Sequence, residues 1–443
     1  MSQSHSETNV IFQAQPGGRL TGTLRVPGDK SISHRSIMLG SLANGTTQIS
    51  GFLEGDDSLA TLAAFRAMGV NIEGPINGKV TVHGVGLHGL KAPAQPLDLG
   101  NSGTSIRLLA GLMAGQAFDV TMTGDASLSK RPMRRVTEPL ASMGAKIDTT
   151  EQGTAPLRVH GGAPLKGINY EMPVASAQVK SCVLLAGLYA EGKTCVTEPA
   201  PTRDHTERML QGFGYPVEIS GSTVCLEGEG TLSATNIEVP ADISSAAFFL
   251  VAASIAEGSQ LTLEHVGMNP TRIGVINILR AMGADISVSN EREVGGEPVA
   301  DLTVTSAPLK GIHIPEDQVP LAIDEFPVLF IAAACAQGET VLTGAEELRV
   351  KESDRIQVMA DGLQALGIDA RPTSDGMIIQ GGQMGGGEIQ SHGDHRIAMA
   401  FAVASLRASA PITIHDCANV NTSFPNFVTL AGGVGLNIAV VSE

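Results

Sequence analysis

A short apolar signature built around one glycine recurs six times along the chain, roughly every 70 to 80 residues. It reads AMGVNI around Gly69 and AMGADI around Gly283, and the other copies differ at single positions. The six glycines are Gly69, Gly144, Gly214, Gly283, Gly367 and Gly435. An apolar helix-like stretch that ends in glycine and continues into strand-like residues is typical of a capped helix followed by a strand. The signature therefore predicts six equivalent helix-to-strand connections.

A second marker, a glycine followed by a strand-like run, stands before each of the first five signatures. Examples are GTTQIS from Gly45 and GETVLT from Gly338, and Ser409 replaces the glycine in the sixth copy. Each marker follows an Ala- and Leu-rich run, so each repeat reads helix, strand, helix, strand. A further strand follows in the first five repeats, as in KVTVHG at 79–84. The sixth repeat reaches the chain end first, and NVIFQAQ at 9–15 is predicted to supply its missing strand.

The two halves of the chain resemble each other, since VPGDKS at 26–31 matches VPADIS at 239–244. We predict an α/β fold of two similar domains, each of three repeated units, over 26–239 and over 240–443 completed by 1–25. Two short crossings, near 25 and near 239, would form a hinge. The alternative is an open solenoid, but strand-rich repeats of ~70 residues exceed the usual ~20–50.

Length and composition fit a protein with more than one sizeable core. The chain has 443 residues, of which 42% are apolar and 17% charged. Its longest apolar stretches, such as 326–336, fall well short of the ~20 residues that span a bilayer. The start at 1–10 lacks the basic-then-apolar pattern of a signal peptide. We therefore expect a cytoplasmic protein with no membrane partner.

The cysteines and histidines give no sign of a metal centre. The five cysteines form no CxxC pair, and they stand at positions 182, 195, 225, 335 and 417. Scattered cysteines in a cytosolic chain predict reduced, buried thiols. His392 and His395 have no third ligand at metal spacing. We expect no metal and no cofactor.

The net charge of −16 argues against a nucleic-acid surface, which needs a basic face. Yet basic residues recur where predicted helices begin, at Lys30, Arg131, Lys351, Arg355 and Arg396. A cation at a helix N-terminus opposes the macrodipole at a cost of ~0.3–1 kcal/mol. Free N–H groups at helix N-termini bind phosphate, so added Lys and Arg predict a cleft for multiply charged anions on an acidic protein.

Helix capping explains some of these polar corners without any ligand. Ser, Thr, Asp and Asn are favoured N-caps, worth ~1 kcal/mol each. For Asp242 and Ser244 capping is the better interpretation. Asp324 and Glu325 have a capping alternative as a pair before an apolar helix, and Arg396 has an alternative in pairing with Asp394.

One nucleotide-binding motif is rejected. Residues 187–194 read GLYAEGKT and fit the P-loop pattern. That motif needs a strand before its first glycine and a helix after its lysine. Here the preceding residues are helix-like and the following ones strand-like, so no ATP binding that depends on Lys193 is expected.

At the same polar corners the chain resembles the 5-enolpyruvylshikimate-3-phosphate synthase family (3-phosphoshikimate 1-carboxyvinyltransferases). The matching segments occur in order over nearly the whole chain. They include VPGDKSISHRSIMLGSLA (26–43), GNSGTSIRLLAG (100–111), GDASLSKRPMRRVTEPL (124–140), PVASAQVKSCVLLAGL (173–188), IDEFPVLFIAAA (323–334), ELRVKESDRI (347–356), GDHRIAMAFA (393–402) and NTSFPNF (421–427). The resemblance implies an inside-out α/β barrel in each of two domains that close over a cleft. It also implies transfer of the enolpyruvyl group of phosphoenolpyruvate to the 5-hydroxyl of 3-phosphoshikimate, on the route to chorismate and aromatic amino acids.

The resemblance carries substrate roles onto matching positions. The residues implied for 3-phosphoshikimate are Lys30, Ser31, Arg35, Ser176, Ala177, Gln178, Arg203, Asp324 and Lys351. Those implied for phosphoenolpyruvate are Lys30, Gly103, Arg131, Gln178, Arg355 and Arg396. The first domain would take phosphoshikimate, and the second would complete the phosphoenolpyruvate site.

The reaction needs groups that move protons. The shikimate hydroxyl must lose a proton as it attacks C2 of the enol, and the methylene carbon C3 must gain one. Asp324 is the candidate base with Lys351 as the alternative, Glu352 is the candidate for the C3 proton, and Lys30 joins this set by touching phosphoenolpyruvate. A carboxylate that acts as an acid near pH 7 needs a raised pKa, and neighbouring cations oppose that. Arginines offer planar, bidentate partners for carboxylate and phosphate.

Three positions depart from relatives of the family. Some relatives have Lys in place of Thr422, Pro in place of Leu108, and two serines in place of Ser176 and Ala177. A direct role of Thr422 in phosphoenolpyruvate binding is therefore not expected. Gly103 has no Cβ and leaves room beside phosphoenolpyruvate, so sensitivity to glyphosate is expected.

Two other functions compete with this one. The related enzyme that adds enolpyruvate to UDP-N-acetylglucosamine carries a Cys before its Arg-Pro pair, whereas residues 124–130 here hold none. A non-catalytic anion-binding scaffold is the second alternative. We expect a monomer whose partners are small molecules.

Overall fold

The computed structural model describes residues 9–442, and within them the chain divides into two domains. Domain 1 comprises Pro27–Pro240 together with the short segment Glu293–Pro298. Domain 2 comprises residues 9–26, Ala241–Arg292 and residues 299–442. The sequence pattern gave no sign that 293–298 would group with domain 1.

Domain 1 repeats one succession of helices and strands three times. Its helices are α1 (Lys30–Leu42), α2 (Asp56–Ala67), α3 (Gly103–Ala114), α4 (Arg134–Ser142), α5 (Ala177–Gly187) and α6 (His205–Gly212). Its strands are β3 (Thr46–Ser50), β4 (Asn71–Ile76), β5 (Lys79–His83), β6 (Leu97–Asp98), β7 (Val120–Thr123), β8 (Lys146–Asp148), β9 (Leu157–His160), β10 (Asn169–Glu171), β11 (Lys193–Thr197), β12 (Glu218–Ser220), β13 (Thr223–Glu227) and β14 (Asn236–Glu238).

Domain 2 follows the same succession. Its helices are α7 (Ile243–Ile255), α8 (Gly274–Ala281), α9 (Phe326–Cys335), α10 (Arg355–Ala365), α11 (His395–Ala404) and α12 (Phe427–Val434). Its strands are β1 (Val10–Ala14), β2 (Thr21–Leu24), β15 (Gln260–Gly267), β16 (Asp285–Val294), β17 (Glu297–Thr305), β18 (Glu339–Leu342), β19 (Asp369–Pro372), β20 (Met377–Gln380), β21 (Gly387–Gln390), β22 (Ile412–His415) and β23 (Ile438–Ser442). The tip of the β16–β17 hairpin is the segment that groups with domain 1.

Each repeat builds a small sheet in which its last strand lies in the middle. In the first repeat β5 pairs antiparallel with both β3 and β4, and β14 adds in parallel to β3. In the sixth repeat β1 takes the middle place, antiparallel to β22 and β23. The prediction that the N-terminal segment supplies the missing strand is therefore confirmed.

The first helix of each repeat is buried on all sides. Every residue of α7 is buried, and the same holds for nearly all of α3, α9 and α11. A helix that is apolar all round belongs in a core, so these helices lie inside while the amphipathic helices and sheets cover them. Close packing reaches the backbone where α3 meets α5, because a Cβ on Gly111 would lie 2.2 Å from the Cys182 carbonyl oxygen.

The six glycines of the signature all have left-handed backbones. Their φ values run from 78° at Gly214 to 125° at Gly435. Each follows the C-terminal end of a second helix, where a side chain would be strained. The predicted helix-to-strand connections are confirmed.

The prediction of reduced thiols is wrong for two cysteines. Cys195 on β11 and Cys225 on β13 form a disulfide with a Cα–Cα distance of 4.1 Å. They lie opposite each other in the antiparallel pairing of the two strands. Sequence spacing does not reveal strand register, so the pair could not be recognised beforehand. Cys182 and Cys417 are buried free thiols, and burial raises the pKa of each to about 12.

No helix among residues 9–442 is both long enough and apolar enough to span a membrane.

Candidate active site

The N-terminus of α1 presents three of the predicted substrate residues. Asp29 caps the helix by accepting a hydrogen bond from the Ile32 backbone N–H. Lys30 Nζ lies 2.7 Å from Asp57 Oδ2. Arg35 is buried and donates to the backbone oxygen of Ser31 at 2.9 Å. Because its fixed fork also reaches the α5 and α6 segments, Arg35 joins three elements at this end of domain 1.

The α5 N-terminus lies beside that of α1. Arg35 donates to Ser181 Oγ on α5 at 2.9 Å and to Thr206 Oγ1 on α6 at 2.8 Å. Arg203, in the loop before α6, donates to Ser31 Oγ at 3.5 Å. Ser176 caps α5, and Ala177 and Gln178 form its first turn. The structure therefore gathers the domain 1 residues that were predicted for phosphoshikimate.

The α3 N-terminus completes this group. Gln178 Oε1 accepts a 2.6 Å hydrogen bond from Arg107 Nη1. Arg131 Nη2 donates to Asn101 Oδ1 at 2.8 Å. A Cβ on Gly103, the first residue of α3, would lie 2.9 Å from Arg131 Nη1. Arg131 therefore lies directly against Gly103, so two of the six residues that were predicted for phosphoenolpyruvate are neighbours.

Several buried groups behind these helix ends escaped prediction as site residues. Lys180 is 1% exposed and its ammonium lies between Glu198 Oε1 at 2.7 Å and Glu207 Oε2 at 3.0 Å. Burial raises the pKa of Glu207, and Lys180 offsets part of that rise. Arg107 and Lys180 lie near the N-termini of α3 and α5, where the sequence showed polar residues. No sequence signal pointed to Glu198 or Glu207.

In domain 2 the predicted proton-transfer residues surround one arginine at the start of α10. Arg355 Nη2 donates to Glu352 Oε2 at 2.8 Å, and Nη1 lies 3.5 Å from Asp324 Oδ1. Lys351 Nζ lies 3.4 Å from the same Asp324 oxygen. Asp324, Lys351, Glu352 and Arg355 are thus brought together, so candidate groups for proton transfer and a guanidinium lie within one cluster.

Asp394 holds Arg355 from behind. Its carboxylate is fully buried, accepts from Arg355 Nε at 2.9 Å and Nη2 at 3.2 Å, and accepts from Ser353 Oγ at 2.8 Å. Burial alone would raise the pKa of Asp394, but the Arg355 guanidinium holds it below its ordinary value. Burial alone would lower the pKa of Arg355, but Asp394, Glu352 and Asp324 raise it above its ordinary value. Asp394 and Arg355 therefore both stay charged through the neutral range.

Some of the acidic residues with a capping interpretation do cap helices in the structure, and others bind elsewhere. Asp242 caps α7 by accepting from the Ser244 N–H at 2.8 Å, which confirms its predicted role. Glu325 makes no side-chain cap on α9 and bonds to Ser244 Oγ instead. Asp394 pairs with Arg355, and it meets Arg396 through the backbone N–H of that residue at 3.0 Å. Thr422 is buried and donates to the Asn419 backbone oxygen.

A buried hydrogen-bond chain links three helices of domain 1 behind the site. His34 Nδ1 lies 2.8 Å from Thr61 Oγ1, Thr61 Oγ1 lies 2.7 Å from Ser105 Oγ, and Ser105 Oγ donates to Ser102 Oγ at 2.6 Å. Burial, Lys30 and Arg35 all lower the pKa of His34 well below 6.5, and only Asp29 acts in the opposite direction. His34 is therefore neutral at pH 7.

Acid should destabilise the fold through His34. The unfolded chain takes up a proton near pH 6.5 whereas folded His34 resists it, so the free energy of unfolding falls as pH drops below 6.5. The slope is at most about 1.4 kcal/mol per pH unit for one group. We expect His34→Asn to show a smaller loss between pH 7.5 and 5.5 than the unaltered protein in urea unfolding. The exposed His313, replaced in the same way, should leave the loss unchanged, and an equal loss in the His34 variant would contradict the prediction.

Comparison with known proteins gives the chain its family. The family model for EPSP synthase (3-phosphoshikimate 1-carboxyvinyltransferase) matches residues 14–430. The chain belongs to the EPSP synthase family. A 3-phosphoshikimate 1-carboxyvinyltransferase of Methylococcus capsulatus is 73% identical over 98% of this chain and 99% of its own length. One of Alkalilimnicola ehrlichii is 73% identical over 96% of each chain.

Solved structures agree with the family assignment. An EPSP synthase of Acinetobacter baumannii superposes with a TM-score of 0.87 at 63% identity, over 98% of this chain and 100% of its own. The enolpyruvyl transferase NikO of Streptomyces tendae superposes with a TM-score of 0.79 at 16% identity, which shows a shared fold alone. The two-domain α/β fold predicted from the repeats is therefore that of EPSP synthases.

Proposed function

We propose that the chain transfers the enolpyruvyl group of phosphoenolpyruvate to the 5-hydroxyl of 3-phosphoshikimate and releases phosphate. Membership of the EPSP synthase family supports the reaction. The observation that carries the chemistry is the gathering of Asp324, Lys351 and Glu352 around the single guanidinium of Arg355. The reaction belongs to the biosynthesis of chorismate and aromatic amino acids.

Domain 1 supplies most of the groups proposed for 3-phosphoshikimate. Lys30, Ser31, Arg35 and Arg203 offer cationic and hydroxyl donors to its phosphate. Ser176, Ala177 and Gln178 stand at the α5 N-terminus, whose free N–H groups favour an anion. Asp324 and Lys351 would contact the 5-hydroxyl that reacts.

The groups proposed for phosphoenolpyruvate are mostly arginines. Arg131, beside Gly103, belongs to domain 1, while Arg355 and Arg396 belong to domain 2. Lys30 and Gln178 complete the set. Planar guanidinium groups match a carboxylate and a phosphate with paired hydrogen bonds, and their positive charge offsets the negative charge of the substrate.

The proposed reaction has two stages. The 5-hydroxyl loses its proton to Asp324, or to Lys351, and its oxygen bonds to C2 while C3 takes a proton from Glu352. In the second stage C3 returns its proton to Glu352, the C2–C3 double bond forms again, the C2–O bond to phosphate breaks, and the departing phosphate takes the proton held by Asp324 or Lys351. Each proton-transfer group is therefore used once in each direction, as general acid–base catalysis requires.

Phosphate release tests the proposal. With phosphoenolpyruvate and 3-phosphoshikimate the protein should release phosphate and form one enolpyruvyl ether per phosphate. With UDP-N-acetylglucosamine in place of phosphoshikimate it should release none. Absence of release in the first mixture would end the assignment, and release only in the second would identify the related transferase.

The partners and location follow from the same proposal. We propose a monomeric cytoplasmic enzyme whose partners are its two small-molecule substrates. The net charge of −16 supports the exclusion of nucleic acid.

Gly103→Ala should weaken phosphoenolpyruvate binding and glyphosate inhibition. The new methyl group would lie 2.9 Å from Arg131 Nη1 and displace a guanidinium that is buried and bonded to Asn101. We expect the KM for phosphoenolpyruvate to rise roughly tenfold and the glyphosate inhibition constant to rise further. Steady-state kinetics at saturating phosphoshikimate measures both.

Gly212→Ala is the matched control for Gly103→Ala, because a Cβ there meets nothing within 4 Å. It should change neither constant. If Gly103→Ala also left both constants unchanged, or if the unaltered enzyme kept full activity at glyphosate concentrations far above the KM for phosphoenolpyruvate, the role proposed for Gly103 would be wrong.

A further inference from the structure

Domain 2 contains a buried polar network that the proposed reaction does not use. Arg272 is 3% exposed, and its Nη2 donates to Asp242 Oδ1 at 3.0 Å and to Ser244 Oγ at 2.8 Å. Ser244 Oγ in turn donates to Glu325 Oε1. Glu325 is 2% exposed. Two carboxylates and a guanidinium are thus withdrawn from water, which is costly unless each is well bonded.

Capping does not account for this network. Asp242 already caps α7 through the Ser244 N–H, and Glu325 makes no side-chain cap on α9. An alanine or a small polar residue would serve the start of α9 without burying a charge. The network therefore calls for another explanation, and the sequence neighbour of Glu325 supplies one.

Glu325 shares a single helical turn with Asp324. The turn spans Ile323–Glu325 and is closed by the Glu325 N–H donating to the Ala322 oxygen at 2.9 Å. The side chains of Asp324 and Glu325 lie in different surroundings. Glu325 is buried against Ser244, whereas Asp324 is half-buried beside Lys351 and Arg355. Any rotation of the turn that moves Asp324 must also move Glu325.

The segment that carries Arg272 is packed against the residues that lead into the same turn. The Gly274 N–H donates to the Leu321 oxygen at 3.1 Å, and a Cβ on Gly274 would lie 2.6 Å from the Leu321 carbonyl carbon. The preceding residues are ordered by Asn269, whose Oδ1 accepts from the Thr271 N–H at 2.9 Å. The backbone contact ties the turn to the start of α8, and the side-chain network ties it to α7.

The distances at Asp324 make this restraint matter. Its Oδ1 lies 3.4 Å from Lys351 Nζ and 3.5 Å from Arg355 Nη1, at the outer limit of a hydrogen bond. A misplacement of about 1 Å at a reacting group costs on the order of 10²-fold in rate. A small rotation of the turn would separate the carboxylate from both cations.

We propose that Arg272, Ser244 and Glu325 are positioning residues for Asp324. They hold the turn so that the Asp324 carboxylate faces Lys351 and Arg355. None of the three touches substrate in this proposal, which rests on the role of Asp324 in the proposed function.

A double-mutant cycle between Glu325 and Asp324 tests the proposal. Glu325→Ala should lower kcat about 10- to 100-fold and leave the KM of both substrates within about twofold. In an Asp324→Asn background the same replacement should change kcat less than threefold, because the group it positions is already inactive. Glu325→Gln keeps an oxygen acceptor for Ser244 Oγ and should recover most of the rate. Single-turnover measurements with enzyme in excess give the low rates.

Controls separate positioning from loss of fold. Asp317→Ala removes an exposed carboxylate on the segment before the turn and should leave kcat unchanged. If Glu325→Ala does not fold, as judged by near-UV circular dichroism, Ser244→Ala breaks the same contact and takes its place in the cycle.

The outcomes distinguish this inference from the proposed function. An equal loss of rate in both backgrounds would overturn the positioning role and leave Asp324 as the base. An unaltered kcat in Asp324→Asn alone would instead overturn the role of Asp324, and the positioning proposal would fall with it.

Discussion

Asp324→Asn is expected to lower kcat about 10²- to 10⁴-fold while the KM of both substrates changes little. The amide keeps the size of the carboxylate and an oxygen near Lys351 and Arg355, but it cannot take the proton of the shikimate hydroxyl. Substrate binding depends mainly on Lys30, the arginines and the helix N-termini, so it should persist. Phosphate release at saturating concentrations of both substrates measures the change.

A pH series distinguishes the base from its neighbours. Glu352→Gln should also lower kcat, but as the loss of the C3 proton donor, so it should alter the opposite limb of the pH–rate profile. Asp317→Asn, an exposed carboxylate on the segment leading to the turn, is the control and should match the unaltered enzyme. If Asp324→Asn retained more than a tenth of the rate, Lys351 would become the base.

Asp394→Ala is expected to lower the free energy of unfolding by about 3–5 kcal/mol. The replacement leaves Arg355, which is 1% exposed, without the carboxylate that binds two of its nitrogens, and it removes the cap from α11. The contribution of the Asp394 charge to the free energy of unfolding is fully present above the ordinary pKa of 3.8 and is lost as pH falls through the lower pKa of the folded state. A measurement at neutral pH therefore shows the whole effect. Urea unfolding at pH 7 measures it.

An exposed ion pair in the same domain provides the comparison for Asp394. Asp369 lies 3.4 Å from Arg371 with both side chains more than half exposed, so Asp369→Ala should cost less than about 1 kcal/mol. Asp394→Asn keeps an acceptor for the Arg396 N–H and should fall between the two. A loss in Asp394→Ala no larger than in Asp369→Ala would mean that the buried pair adds nothing to stability.

Local signals carried most of the fold. Glycines such as Gly69 and Gly283 have a left-handed backbone because a helix ends just before each of them. The alternation of apolar and polar residues after each glycine suffices to indicate a strand. The role of β1 was also predictable, because a count of strands per repeat left one place vacant. The Cys195–Cys225 disulfide was not, since it depends on which strands pair and in which register.

Within the site, predictability followed distance along the chain. Lys351, Glu352 and Arg355 are close in sequence and meet around one guanidinium as expected. The buried partners of Arg355 and Lys180 come from 39 and 27 residues away. Asp394 stood out in the sequence only as a partner for Arg396, and nothing in the surroundings of Glu207 marks it. Glu325 looked like a cap because helix starts favour acidic residues, whereas a serine 81 residues earlier decides where it lies.

The place of β1 between β22 and β23 has a consequence for synthesis on the ribosome. Residues 10–14 are synthesised long before their neighbours at 412–415 and 438–442, and at ~5–20 residues per second the delay is on the order of tens of seconds. Domain 1 can complete its three sheets during translation, while the nascent N-terminal strand waits with its hydrogen-bonding groups in water. Chains that stall after domain 1 but before residue 412 therefore carry one finished domain and one unpaired, apolar strand for chaperones to protect.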